Sequence, residues 1–151
     1  MIYIIGIGIN GKDDLSNKAL EIIESSDILF GGERHLSYFP HFKGERFAIK
    51  SNLKEVVHHI KENKNKRITV LASGDPCFYG IADYLIKNLG KDDVEIIPNI
   101  SSMQWAFAKI KEPWHDAEIV SSHGRGIESI IEASRYNNKI GIFTSSGDEP
   151  K

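Results

Sequence analysis

Cysteine is almost absent from this chain: Cys77 is the only one in 151 residues. A single thiol excludes an intramolecular disulfide and the thiolate spacings of structural zinc sites. Long apolar runs are missing too. None approaches the roughly 20 residues that a membrane-spanning helix requires. Charge of one sign is scarce, with 19 Lys and Arg against 21 Asp and Glu and a net charge of −2. That balance excludes the strongly basic kind of nucleic-acid binder, while a local cationic cluster for an anionic ligand stays open. The start, Met1-Ile2-Tyr3-Ile4-Ile5, lacks the basic segment of a signal peptide. There is no internal repeat and no low-complexity stretch. The expectations are a reducing, cytoplasmic location and no nucleic acid, membrane or bound metal as partner.

What is present is an ordinary apolar content in a regular pattern. Hydrophobic residues make up 40% and charged residues 26%, enough for one packed domain or one domain and part of a second. Residues 2–5, 28–30, 46–49, 68–71 and 94–97 read as short apolar strands. Helical spacing links Leu15, Ala19, Ile22 and Ile23, with Ser16 or an Asp before it as cap, and then Leu53, Val56, Val57 and Ile60. Further helices are expected over residues 33–39, from Ile81 onward, and over 101–110. Strands alternating with helices predict α/β architecture with a mainly parallel sheet.

Residues 111–116 are polar and contain Pro113, which marks a domain boundary. The predicted division is an N-terminal α/β domain over 1–112 and an incomplete second α/β domain over 113–151. In the latter, residues 117–120 and 139–144 read as strands and 127–135 as a helix. Residues 145–151 carry no apolar face, whereas a strand of this kind ordinarily feeds a covering helix. The expectation is a chain cut from a longer parent protein.

Chemistry concentrates after the strand at 68–71, in Ser73-Gly74-Asp75-Pro76-Cys77-Phe78-Tyr79-Gly80. Open α/β sheets take their ligands at the carboxyl ends of strands. Gly permits close backbone approach, Pro withholds an N–H, and Asp adds an acceptor and a charge. Such a turn suits a polar or cationic small molecule, and an Asp-capped turn without a ligand is the competing reading.

A second glycine-rich string, Gly6-Ile7-Gly8-Ile9-Asn10-Gly11, follows the first strand and matches G-x-G-x-x-G. The dinucleotide fingerprint needs its last Gly in the opening of a helix and an acidic residue beyond the second strand. Here Lys12-Asp13-Asp14 intervenes with negative charge, and Asp27 precedes its strand. A nicotinamide or flavin oxidoreductase is therefore the weaker reading.

Four segments in order resemble the tetrapyrrole methylase family: residues 6–11, 19–29, 73–80, and Pro98-Asn99-Ile100-Ser101-Ser102-Met103-Gln104. The resemblance spans essentially the whole chain. It departs at Ile9-Asn10, where the family's loop usually carries Pro. Phe30-Gly31-Gly32-Glu33-Arg34-His35-Leu36 and Ser122-His123-Gly124-Arg125 resemble the branch that methylates C5 of a corrin precursor, precorrin-7 or its cobalt form. The sirohaem branch is the nearer alternative.

The resemblance implies two α/β domains, S-adenosylmethionine as cofactor, a corrinoid substrate and a homodimer. It implies cofactor contacts from Ile9, Gly74, Asp75, Phe78, Tyr79, Ser101 and Ser102. It places Arg34, His35, His123 and Arg125 against the substrate's carboxylates, with Arg46 and Lys50 behind them. Methyl transfer from a sulfonium needs mainly positioning, worth about 7–11 kcal/mol, and no particular catalytic residue is expected. A non-catalytic binding module is a further alternative. Among the remaining residues, His58 and His59 are expected on a wet helix face, Cys77 as a small buried thiol, and Trp105 and Phe107 in the core.

Overall fold

The computed structural model describes residues 1–121 and 128–144. They fall into two compact units, Met1–Ser102 and Met103–Lys151. The first unit is built on β1 (Ile2–Ile7), β2 (Ile28–Gly31), β3 (Glu45–Ala48), β4 (Ile68–Ser73) and β5 (Val94–Ile97). All pairings are parallel, in the order β3-β2-β4-β1-β5. The alternation of strands and helices thus yields the predicted α/β sheet. Parallel neighbours need crossovers, and helices supply them.

The two faces of the sheet separate by strand periodicity. Ile2, Ile4, Ile28, Phe30, Ile68 and Val70 point to one face. There they pack on α3 (Leu53–Glu62) through Val56, Val57 and Ile60, and on α4 (Ala82–Leu89) through Leu85 and Leu89. Ile5, Ile7, Leu29 and Leu71 point to the other, against Ala19 and Ile23 of α1 (Asn17–Ser25) and Phe39. Each such side chain contributes about 1.5–3 kcal/mol over its exposed state. Ser16 caps α1, its Oγ accepting from the Ala19 N–H at 3.2 Å. The chain entering β2 is tied to the amino end of β4 by the Ser26–Thr69 hydroxyl pair at 2.7 Å and by the Arg67 N–H donating to Asp27 Oδ2 at 2.8 Å.

The second unit takes most of α5 (Ser102–Ile110), then β6 (Glu118–Ser121), α6 (Glu128–Tyr136) and β7 (Ile140–Phe143). β6 and β7 pair in parallel. Gly141 makes room for Met103 and Ile119, because a Cβ there would stand 2.5 Å from the Met103 sulfur. Lys139 Nζ donates to Pro113 O at 2.7 Å and pairs with Asp116 at 2.9 Å. Among the described residues, no helix is long and apolar enough to cross a membrane.

Two expectations about single side chains need correction here. Trp105 is 42% exposed, while Phe107 is buried. On α5 the two lie on different faces, and Lys109 Nζ stands 5.0 Å above the Trp105 ring. His59 turns inward, its ring 4.2 Å from that of Phe47 and 5.7 Å from that of Phe30. Only His58 takes the wet face, 3.3 Å from Glu62.

Candidate functional site

The carboxyl ends of β1, β4 and β5 lie side by side, because the strands are parallel and in register from Ile2 onward. Their loops bring together residues that stand far apart in the chain. β1 runs into Gly8, whose carbonyl accepts from the Gly11 N–H at 3.2 Å. Asp14 closes that loop, accepting from the Asn10 N–H at 2.7 Å and from Asn10 Nδ2 at 2.9 Å. These bonds hold the Asp14 carboxyl below its ordinary range. Ile9 is left exposed at the tip.

This geometry removes the dinucleotide reading. Gly11 leads into a short 3-10 helix (Lys12–Asp14), and α1 opens only at Asn17. Gly11 also packs on Tyr38, with no room for a Cβ (2.8 Å). Asp27 sits at the amino end of β2 and serves the Arg67 N–H. It is therefore at the wrong end of the sheet to hold a ribose.

The turn after β4 is drawn tightly to β1. The Gly74 N–H donates to Ile7 O at 2.7 Å, and Gly74 adopts φ +55°. A Cβ on Gly74 would stand 2.8 Å from Ser101 Cα. So Gly74 is required both by its conformation and by the approach of the β5 loop. Asp75 folds over the next residues, its Oδ1 accepting from the Cys77 N–H at 2.8 Å. That bond turns the chain so that the Cys77 side chain faces outward. Cys77 is exposed, against the expectation of a buried thiol. Its thiol is raised above the usual value by desolvation and by the nearby Asp75 charge.

Tyr79 holds φ +52°, unusual for a side-chain-bearing residue, and its ring meets Phe78 edge-on at 5.2 Å. Strain of this kind persists only where the surroundings over-determine it. Tyr79 is 50% exposed on the same edge. From β5, Ser101 is buried and Ser102 opens α5. Ile9, Gly74, Asp75, Phe78, Tyr79, Ser101 and Ser102 thus all belong to this one edge. Ile9 and Ile100 are exposed on this edge, and the Asp75 carboxylate adds an acceptor to it.

β2 ends on the same edge, and α2 (Glu33–Ser37) follows it. Arg34 is exposed there. His35 is only 8% exposed, with Nε2 at 3.2 Å from Ser73 Oγ and 3.5 Å from Arg34 Nη2. Burial, then the Arg34 charge, pushes its imidazole below the ordinary 6.5. His35 thus lies buried against Ser73, whereas the expectation placed it against a substrate carboxylate. Ser73 opens the sequence motif at the end of β4, and only the fold brings His35 to it. His123 and Arg125 lie outside the described residues. Lys50 pairs with Glu33 at 2.8 Å, and Arg46 Nη1 donates to Phe39 O at 3.4 Å.

The His35 shift makes stability depend on pH. The folded imidazole takes a proton less readily than the unfolded one, so its contribution is complete above about pH 6.5. It is lost as pH falls through the lowered folded value. Thermal melts below pH 6.5 should fall more steeply for the parent protein than for His35→Gln. Parallel slopes would refute the neutral, buried ring.

The model of the family described as "Tetrapyrrole (Corrin/Porphyrin) Methylases" matches residues 1–144. The chain is 37% identical over 151 residues to a cobalt-precorrin-7 C(5)-methyltransferase of Salmonella typhimurium, covering all of this chain and 74% of that protein. The crystal structure of a cobalamin-biosynthesis precorrin-6Y methylase from Archaeoglobus fulgidus is similar at TM-score 0.69 and 26% identity, over 85% of this chain and 67% of that one. A uroporphyrin-III C-methyltransferase from Thermus thermophilus, complexed with S-adenyl homocysteine, shares the fold at TM-score 0.61 and 20% identity, over 80% of this chain and 55% of that one. On a family match of this extent and a relative of this identity along the whole of this chain, the chain belongs to the tetrapyrrole (corrin/porphyrin) methylases.

Proposed function

We propose that this protein transfers a methyl group from S-adenosylmethionine to C5 of cobalt-precorrin-7, or of its cobalt-free form, in cobalamin biosynthesis. The observation that carries this reading is the 37% identity along the whole chain to the Salmonella C(5)-methyltransferase. S-adenosylmethionine supplies an activated methyl group on a sulfonium. The protein's part is to hold the two reactants in line and exclude water.

In this reading, backbone groups at Ile9, Gly74 and Phe78, with Asp75, Tyr79, Ser101 and Ser102, hold the cofactor. Arg34, with His123 and Arg125, meets the carboxylates of the macrocycle by charge-assisted bonds. His35 orients Ser73 beside the cofactor turn. A homodimer belongs to the same reading. Trp105, Ile110 and Trp114 leave apolar surface exposed on the second unit, and light scattering tests whether two copies cover it.

The decisive experiment offers the protein S-adenosylmethionine with a labelled methyl group and two acceptors, cobalt-precorrin-7 and uroporphyrinogen III. Mass spectrometry should find one labelled methyl in the corrin, at C5 by NMR. Labelling of the porphyrinogen instead would move the chain to the sirohaem branch.

Asp75 gives a narrower test. Asp75→Ala removes the acceptor for the Cys77 N–H and the negative charge together. S-adenosylhomocysteine affinity should fall about tenfold, the equivalent of one lost hydrogen bond of about 1.5 kcal/mol. Asp75→Asn keeps the turn and reports on the charge alone. Unchanged calorimetric affinity in Asp75→Ala would remove Asp75 from the cofactor site.

A further inference from the structure

Asn99 stands where the three loops of the cofactor edge converge. Its Nδ2 donates to Gly6 O at 3.2 Å and to Asp14 O at 3.0 Å. Its Oδ1 accepts from the Ile100 N–H at 2.8 Å. Its backbone N–H donates to Gly74 O at 3.2 Å. One residue thereby grips the end of β1, the far side of the loop that carries Ile9, and the turn that carries Asp75. It also orients the first residue of the segment leading to Ser101 and Ser102.

The partners fix which way the amide points. Two carbonyls require the NH2 group, and one N–H requires the oxygen. The crowding around it is equally specific. A Cβ on Gly6 would meet Asn99 N at 2.8 Å, and one on Gly8 would meet Asn99 Oδ1 at 2.9 Å. Gly6 and Gly8 are thus small where Asn99 enters.

We propose that Asn99 is the positioning residue of the cofactor site: its side chain locks the three loops into the spacing that S-adenosylmethionine requires, without itself reacting. The proposal rests on the cofactor reading given above. A loop edge assembled from three separate strands has no local sequence signal to hold it together. A side-chain clasp supplies that hold and pre-organises the site, so affinity is not spent on ordering it.

Asn99→Asp is the sharp test. It is nearly isosteric and keeps an oxygen for the Ile100 N–H. It replaces the two donors by a carboxylate oxygen facing the Gly6 and Asp14 carbonyls. Ser26→Ala is the stability control. It deletes the buried Ser26–Thr69 bond (2.7 Å) at the opposite, amino-terminal ends of β2 and β4.

Affinity for S-adenosylhomocysteine is measured by calorimetry well below each variant's melting transition. The proposal expects a dissociation constant at least tenfold higher in Asn99→Asp. Ser26→Ala should melt lower and bind as the parent does. If Asn99→Asp does not fold, Asn99→Ala is read by the same criterion. Parental affinity in the Asn99 variant overturns the proposal and leaves the cofactor reading standing. So does an equal loss in Ser26→Ala, which would make affinity a mere echo of stability. A parent protein that binds no S-adenosylhomocysteine overturns both.

Discussion

Gly6→Ala should melt at least about 10 °C below the parent protein. A Cβ at Gly6 would stand only 1.8 Å from Gly74 O and 2.8 Å from Asn99 N. Both obstacles are backbone, so no side chain can swing aside. β1 is hydrogen-bonded along β4 and β5 on both flanks, and the strain has to be relieved by parting them. Overpacking of this kind costs about 3 kcal/mol or somewhat more. For a unit of this size each kcal/mol lowers the midpoint by about 4 °C or more.

The control is Gly32→Ala. Gly32 has φ −60°, and the nearest atom to its Cβ would be His35 Nδ1 at 3.9 Å. That change should leave the midpoint unaltered or raise it slightly. Circular-dichroism melts of the two variants decide the matter. A Gly6→Ala midpoint equal to the parent's would mean that the β1 and β4 ends do not meet as described.

Arg34→Ala should lower kcat/KM for the corrin substrate by about 10–100-fold, as expected for a lost charge-assisted bond of about 1.5–3 kcal/mol. The affinity for S-adenosylhomocysteine should stay at the parental value. Arg34 is exposed on the edge where β2 and β4 end, while Glu33 beside it is engaged by Lys50 at 2.8 Å. Arg34→Lys should restore only part of the loss, because a planar guanidinium meets a carboxylate with two bonds and an ammonium does not. The measurement is steady-state kinetics with the corrin varied, alongside calorimetry with the cofactor product. A fall in cofactor affinity with unchanged corrin kinetics would reverse the assignment of the two sides of the site.

Much of this site was legible from local pattern. Gly74, Asp75 and Pro76 sit after an apolar strand, and a turn of those residues can only lie at the strand's end. Ser16, just ahead of the Ala19, Ile22 and Ile23 spacing, announces the start of α1. The misfit of Gly6–Gly11 to a dinucleotide loop was also visible, in the charged residues that delay the helix. His35 was less legible. On sequence it is a polar residue beside Arg34, the natural anion contact. Its burial against Ser73 depends on β2 lying next to β4, and the order of strands is not written in either segment. His59 and Trp105 failed for the same reason. Which way an amphipathic helix rotates is set by the partner it meets, Phe47 and Phe30 for His59, and those partners are remote in the chain.

The sequence by itself determined the α/β class, the strand and helix positions, and the Gly-Asp-Pro turn after β4, because those follow from periodicity and backbone chemistry within a few residues. Its ordered motifs also carried the family. The tertiary structure alone decided the strand order β3-β2-β4-β1-β5, the buried His35–Ser73 pair and the Asn99 clasp. Each of these depends on hydrogen bonds and contacts between segments tens of residues apart. Such partners are chosen by how whole faces of the sheet bury their apolar side chains, and no local stretch of sequence contains that choice.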